Sequence, residues 1–509
     1  MSKKNLTYNL TANLTSFIVA TGISFFLAPY IIKAVGIEAY GFISLANSFV
    51  GYVTLATIAL NSMAARFVTI KVHQDDIEGA NKYFSSVIIA NCIISVTLII
   101  PFILVIVFIN RIINVPIYLL SDVRILFSLI FTGFFISLIT SLFSVGVFIK
   151  NKIYLSSLRS IDSGIIRAVL IIILFSVFPA KVFFISFVAL IVQLYSVFWN
   201  IYYTRKLVPQ LTVKKKYFNK KAILELVSAG VWNLVNKISG TLSTGLDLLI
   251  CNLLIGTRLM GVLAISDTIP QIISALLGNL TSAFAPDLTK FYANNDFSGM
   301  VKILNRSIKI LSIFITIPLG GFIIFGDIFY KLWLPLQNSN QLLILSILKV
   351  MCLMLTGSTA SIHAIFEITN KLKLQSLVTL ITCSLSIIIT LILLKNSNLG
   401  VYAVAGVSST LAILQNLIFT FPYAAKCINQ KWYTFYYPAL RTSFLIAIIA
   451  LIGFIFRHIF IIDTWVELIF FGVTTGIVSL AINIKIILSK EEKGFLLNIV
   501  KSRLKFNSQ

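Results

Sequence analysis

Lysine and aspartate inside long apolar runs are the residues of this chain best able to do chemistry. Between residues 223 and 253, Asn233, Asn236, Lys237, Gly240, Thr244 and Asp247 follow one another at steps of 3, 1, 3, 4 and 3. That spacing sets them along one face of an α-helix. At 1.5 Å per residue the stripe covers roughly 20 Å, most of the hydrocarbon thickness of a bilayer. A charge at such depth is costly and marks either a function or a buried pair. Lys237, Asn233 and Asn236 are therefore candidate substrate-binding residues, together with two more cations in apolar runs, Arg167 and Lys349. Asp247 and Asp267 are candidate ion-coupling residues. Two carboxylates in a low-dielectric site disfavour double ionisation, so one of them binds a proton more readily than in water, and a Na⁺ site needs similar oxygen ligands. The alternative is structural. Asp267 or Asp247 pairs with Lys349 or Lys237, and Arg167 is satisfied by Asp162 or a backbone carbonyl.

Weaker polar stripes recur elsewhere: Asn9, Asn13, Ser16 and Ser24; Asn47, Gly51, Thr54 and Asn61; Asp267, Gln271, Ser274 and Gly278; Lys349, Cys352, Thr356 and His363. Such faces avoid lipid, and they either pack helix on helix or line a cavity. No group of His or Cys has metal-ligand spacing. No Gly-rich phosphate loop ending in Lys-Ser or Lys-Thr is present. ATP hydrolysis is not expected, nor is a metal or other cofactor. The five cysteines read as small buried side chains, with Cys427 in a connecting loop.

The elements that position these residues follow from composition. The 509 residues are 58% hydrophobic and 11% charged, with a mean hydropathy of +0.98. Lipid must be the solvent for much of such a chain. About fourteen runs are long enough to cross a bilayer: 9–31, 40–63, 83–109, 126–148, 156–178, 181–203, 223–253, 260–284, 308–330, 341–365, 374–394, 399–422, 439–458 and 464–487. The fold class is an all-α polytopic membrane protein. The run 223–253 is long for one span, so a tilt or an extension beyond the core is expected. Pro29, Pro101, Pro270 and Pro318 are candidate kinks.

The net charge of +24 lies mostly between the apolar runs, where it sets topology rather than binding nucleic acid. With the N-terminus cytoplasmic, the Lys and Arg of 205–221 and most others fall on the cytoplasmic side. An even number of spans returns the C-terminus there. An internal repeat appears at an offset of 220 residues: Gly36 and Gly41 match Gly256 and Gly261, and Asp76, Gly79 and Lys82 match Asp296, Gly299 and Lys302. The chain then divides into a six-helix bundle (1–203), a basic cytoplasmic linker (204–222), a second six-helix bundle (223–422), two additional helices (423–488) and an amphipathic tail (489–509). Transporters commonly bind substrate at such a repeat interface.

The stretch NLTANLTSFIVATGISFFLAPYIIKAVGIEAYGFISLANSFVGY followed by ALNSMAARFV resembles the polysaccharide-transporter branch of the multidrug/oligosaccharidyl-lipid/polysaccharide exporter superfamily. VWNLVNKISGTLSTGLDLLICNLLIG, MGVLAISDTIPQII and AFAPDLTKFYANND are similar to the matching region of that branch. The resemblance implies two bundles around a central cavity and a flippase rather than an enzyme. Its cargo would be an undecaprenyl-pyrophosphate-linked oligosaccharide repeat unit. That unit would cross the bacterial cytoplasmic membrane for assembly of O-antigen, capsule, exopolysaccharide or a teichoic-type polymer, with a polysaccharide polymerase as partner. Lys237, Lys349 and Arg167 suit an anionic pyrophosphate. The alternative is a cation-coupled multidrug exporter of the sister branch, whose cationic cargo would favour acidic cavity residues. In the first half the counterpart of Asp247 is Leu27, so a site built on Asp247 is asymmetric.

Overall fold

The computed structural model describes residues 3–489 other than 245 and 370, together with 492 and 493. Of these, the side chains of 3–7, 10, 14, 236, 239 and 242–244 lie outside the description. The backbone of an apolar chain in lipid must satisfy its own polar groups, and helices do so locally. The main helices are α1 (Lys3–Val35), α2 (Ile37–His73), α3 (Ile77–Val107), α4 (Ile117–Ile149), α5 (Tyr154–Val177), α6 (Phe183–Leu207), α7 (Lys220–Thr244) and α8 (Asp247–Leu254). They continue with α9 (Thr257–Ala293), α10 (Phe297–Trp333), α11 (Ser339–Ile368), α12 (Leu372–Asn396), α13 (Val401–Cys427), α14 (Tyr436–Ile459) and α15 (Trp465–Ile487).

Among the described residues, 13 helices are long and apolar enough to cross a membrane. They account for every expected span but the seventh. In that run the described residues form the polar 25-residue α7 and the 8-residue α8, with a bend at Leu246 just before α8. Cys427 closes α13 instead of lying in a loop.

The helix junctions repeat at the 220-residue offset. Gly36 and Gly256 precede α2 and α9 with φ of 87° and 138°, left-handed conformations that favour glycine. Asp75 and Asn295 both adopt φ 56°. One residue later, Asp76 and Asp296 each accept a 2.8 Å hydrogen bond from the backbone N–H of Gly79 and Gly299. These are N-caps that start α3 and α10.

The chain forms two compact units, 1–264 and 265–509. In the first, α1 packs on α5, α4 on α6, and α2 on both α3 and α7. Gly230 of α7 lies so near α2 that an added Cβ would sit 2.0 Å from the Ala59 carbonyl oxygen. The basic segment after α6 is strapped to the start of α3. Asn81 donates to the Gln210 carbonyl and accepts from the Thr212 N–H. Ser85 and Ser86 bond the backbone of Thr212, Lys214, Tyr217 and Asn219. In the second unit, α14 and α15 pack on α10. Arg457 of α14 forks onto Asp327 of α10, with one arm at 2.8 Å, and Asn483 of α15 donates to Thr316 at 2.7 Å. The two additional helices are thus built into the second unit. At its other end Lys309 bonds both oxygens of Glu492 at 2.8 Å. The rest of the expected amphipathic tail lies outside the described residues.

Candidate functional site

The first unit holds a cavity of about 400 Å³ between α2, α4 and α6, with a largely apolar wall that carries polar side chains from all three helices. Its wall includes Asn47, Thr54, Thr57 and Asn61 from α2, so the stripe seen in the sequence faces a cavity. Ser137 and Ser141 of α4 and Ser186 and Gln193 of α6 complete its polar side chains. Single hydroxyls in strongly apolar helices did not stand out in the sequence; the four-residue spacing of Ser137 and Ser141 was the available signal. Among the described residues no Lys, Arg, Asp or Glu lines the cavity. At one end Asn61 and Asn91 exchange amide hydrogen bonds of 3.1 and 2.9 Å. Asn91 also donates to the Leu138 carbonyl at 3.0 Å, next to the 3₁₀ turn Ser141–Ser144 that interrupts α4. The α1 stripe begins as packing: Asn9 bonds Asn151 and the Tyr154 N–H.

Asn233 donates to Ser62 of α2 at 3.3 Å. Lys237 is exposed, with no ion pair among the described residues. The side chains of Asn236 and Thr244 lie outside the description. Asp247 opens α8, is buried, and lies within electrostatic range of Tyr52 on α2. Arg167 of α5 also keeps an accessible surface and lies within electrostatic range of Tyr40. It does not bond Asp162, as the structural alternative supposed; that carboxylate belongs to Arg159 at 2.7 Å and Tyr195 at 3.0 Å.

In the second unit, α9 breaks at Asp267. The cause is three residues on. Pro270 has no N–H, so it cannot serve the carbonyl of Ser266. Ser346 of α11 does so instead, at 2.8 Å. The Ser346 oxygen in turn accepts from the Tyr330 hydroxyl of α10 at 2.7 Å. Ser266, Ser346 and Tyr330 are fully buried. One turn along α11, the Lys349 ammonium lies 3.8 Å from the Asp267 carboxylate, both largely shielded. The structural alternative for Asp267 and Lys349 is therefore realised. Asp267 belongs to the second unit and Asp247 to the first. A cavity of about 470 Å³ between α9 and α11 is lined by Ser274, Gly278, Thr281, Thr356, His363 and Glu367, among others. The stripes of α9 and α11 reach it through Ser274, Gly278, Thr356 and His363. Among the described residues no group of three His, Cys, Asp or Glu could hold a metal.

Comparison with known proteins adds three likenesses. The family model described as "Polysaccharide biosynthesis protein" matches residues 2–292. The chain is 28% identical over 498 residues to the uncharacterized membrane protein EpsK of Bacillus subtilis (strain 168), covering 96% of this chain and 97% of that one. Among solved structures, the lipid II flippase MurJ in an inward closed conformation is similar with a TM-score of 0.67 at 15% identity, over 93% of this chain and 98% of that chain. An inward-facing multidrug resistance MATE family transporter of the MOP superfamily is similar with a TM-score of 0.64 at 15% identity, over 82% and 94%. At such identities the two structural likenesses are likenesses of fold.

Proposed function

This chain belongs to the polysaccharide biosynthesis protein family, and from that premise we propose that it is a flippase for lipid-linked oligosaccharide. The observation that carries this reading is the cavity of the first unit, whose largely apolar wall carries uncharged hydrogen-bonding side chains from three helices. Sugar hydroxyls both donate and accept hydrogen bonds, and the amides of Asn47, Asn61 and Gln193 with the hydroxyls of Thr54 and Ser141 offer both. A cationic drug would instead favour carboxylates, and among the described residues that lining has none. The fold shared with a lipid II flippase supports the same reading.

The finer reading has four parts. The cargo is an undecaprenyl-pyrophosphate-linked repeat unit, and it is passed on to a polysaccharide polymerase. Lys237, with Asn233 and Asn236, and Arg167 attract the pyrophosphate. Lys349 is engaged by Asp267, and a coupling role for Asp267 requires a proton or Na⁺ to replace that ammonium; Asp247 is the other coupling candidate. The chain lies in the bacterial cytoplasmic membrane with both ends and residues 205–221 cytoplasmic, in keeping with their positive charge.

The test is a deletion strain lacking any second flippase. It should accumulate lipid-linked repeat units on the cytoplasmic leaflet and lose the surface polymer. Normal polymer in that strain would sink the proposal. The coupling role is tested on reconstituted protein under an imposed proton or Na⁺ gradient. Flipping by the wild type that responds to neither gradient removes that role from Asp247 and Asp267.

A further inference from the structure

Helix α13 loses its regular pitch at Asn416–Thr420, a single π-turn. The Phe421 N–H reaches back five residues to the Asn416 carbonyl. The next donor in that pattern would serve Leu417, but it is Pro422, which has no N–H. The Tyr436 hydroxyl of α14 donates to the Leu417 carbonyl instead. The irregular backbone is thus paid for by a neighbouring helix, as lipid requires. Single π-turns of this kind collect at functional sites.

Beside the π-turn lies a groove of about 520 Å³, lined by Ile418, Phe419, Pro422, Tyr423, Lys426, Asn429, Gln430 and Trp432. The groove changes character along its length. Ile418, Pro422 and Lys426 recur every four residues on one face of α13, so an apolar start ends on a cation. Ile418 is 74% exposed and Trp432 63% exposed. At the cationic end Asn429 takes φ 55° and turns the chain, leaving Asn429 and Gln430 exposed beside Lys426. Among the described residues Lys426 has no carboxylate partner. Trp432, Tyr433 and Tyr437 are exposed around this end, with Lys431 over Tyr433 and Arg441 over Tyr437. Trp and Tyr gather where bilayer core meets headgroups. The order apolar, cation, amide is the order of acyl chain, phosphate and headgroup hydroxyls in a phospholipid.

We propose that this groove is a binding site for one anionic glycerophospholipid, its acyl chain along Ile418, Phe419 and Pro422 and its phosphate at Lys426. Asn429 and Gln430 meet the headgroup, and Trp432 closes the side. The site belongs to the second unit alone and does not depend on the cargo or the orientation of the transporter. The test uses the full chain in nanodiscs made from equal parts phosphatidylglycerol and phosphatidylcholine, with retained lipid counted by native mass spectrometry. Wild type should retain phosphatidylglycerol in preference. Lys426→Gln should lower that retention about fivefold, the weight of one cation at a membrane surface. Lys426→Arg should keep it, as should Lys395→Gln, a change at an exposed lysine elsewhere in the unit. Millimolar inorganic phosphate should displace nothing. Equal retention by Lys426→Gln, equal retention of phosphatidylcholine, or displacement by inorganic phosphate would each overturn the proposal.

Discussion

Lys349 of α11 faces Asp267 at 3.8 Å, at the point where Pro270 breaks α9. Both groups are largely shielded, so removing either takes the facing opposite charge away from a buried group. Lys349→Met and Asp267→Asn should each lower folded protein, with a cost on the order of 3–5 kcal/mol for a broken buried pair. The double variant should recover most of it. Thermal unfolding of purified protein in detergent reads this directly, and a double variant no more stable than the singles would refute the pairing.

Gly261 should accept no side chain. A Cβ there would lie 2.3 Å from the Ile37 carbonyl oxygen, and one on Gly41 would lie 2.9 Å from the Gly261 Cα. Gly261→Ala must push backbone aside and should cost about 1–3 kcal/mol or more. Gly51→Ala meets nothing within 4 Å and should be neutral within experimental error. The comparison is made by melting temperature in one detergent.

Asp76 gives an acid-side pH dependence of known sign. The Lys71 ammonium, with the Gly79 N–H, holds its carboxyl below the usual carboxylate range. A carboxyl depressed in the folded state favours folding above its unfolded pKa, and that contribution fades as pH falls through the lowered folded value. Asp296 behaves alike through Gly299 and Ser298. Asp76→Asn keeps the cap but not the charge. Its stability deficit should therefore be full near neutrality and shrink to nothing well below pH 4.

The basic strap is fixed by α3, and one amide reports it. Asn81 Oδ1 accepts from the Thr212 N–H at 2.7 Å. Asn81→Ala should speed hydrogen exchange at 210–214 about five- to tenfold, the equivalent of one net hydrogen bond. Unchanged exchange would mean that Ser85 and the buried Leu211 hold the segment unaided.

Lys237 separates transport from folding. It is exposed and has no ion pair among the described residues, so Lys237→Ala should leave the amount of folded protein unchanged. Transport should fall about tenfold or more if its charge holds a phosphate, and Lys237→Arg should keep most of it. Loss of protein in the alanine variant would mark a structural role instead.

The sequence alone determined which segments are helices, and it did so for a local reason. A spanning backbone satisfies itself within four residues, so apolar length and caps such as Asp76 and Asp296 are written where they act. The repeat was legible on the same ground, because Gly36 and Gly256 fix a turn through their own φ. The sequence also showed which residues share a face, as with Asn47, Thr54 and Asn61. It could not show what that face meets. Asp267 and Lys349, Asn61 and Asn91, and Asn233 and Ser62 are far apart in the chain, and periodicity within one helix carries no information about the helix beside it. Nor could the sequence show that Tyr436 would serve the carbonyl that Pro422 leaves open. Those outcomes rest on long-range packing, which sets the partners of a polar group once lipid has removed water as the alternative.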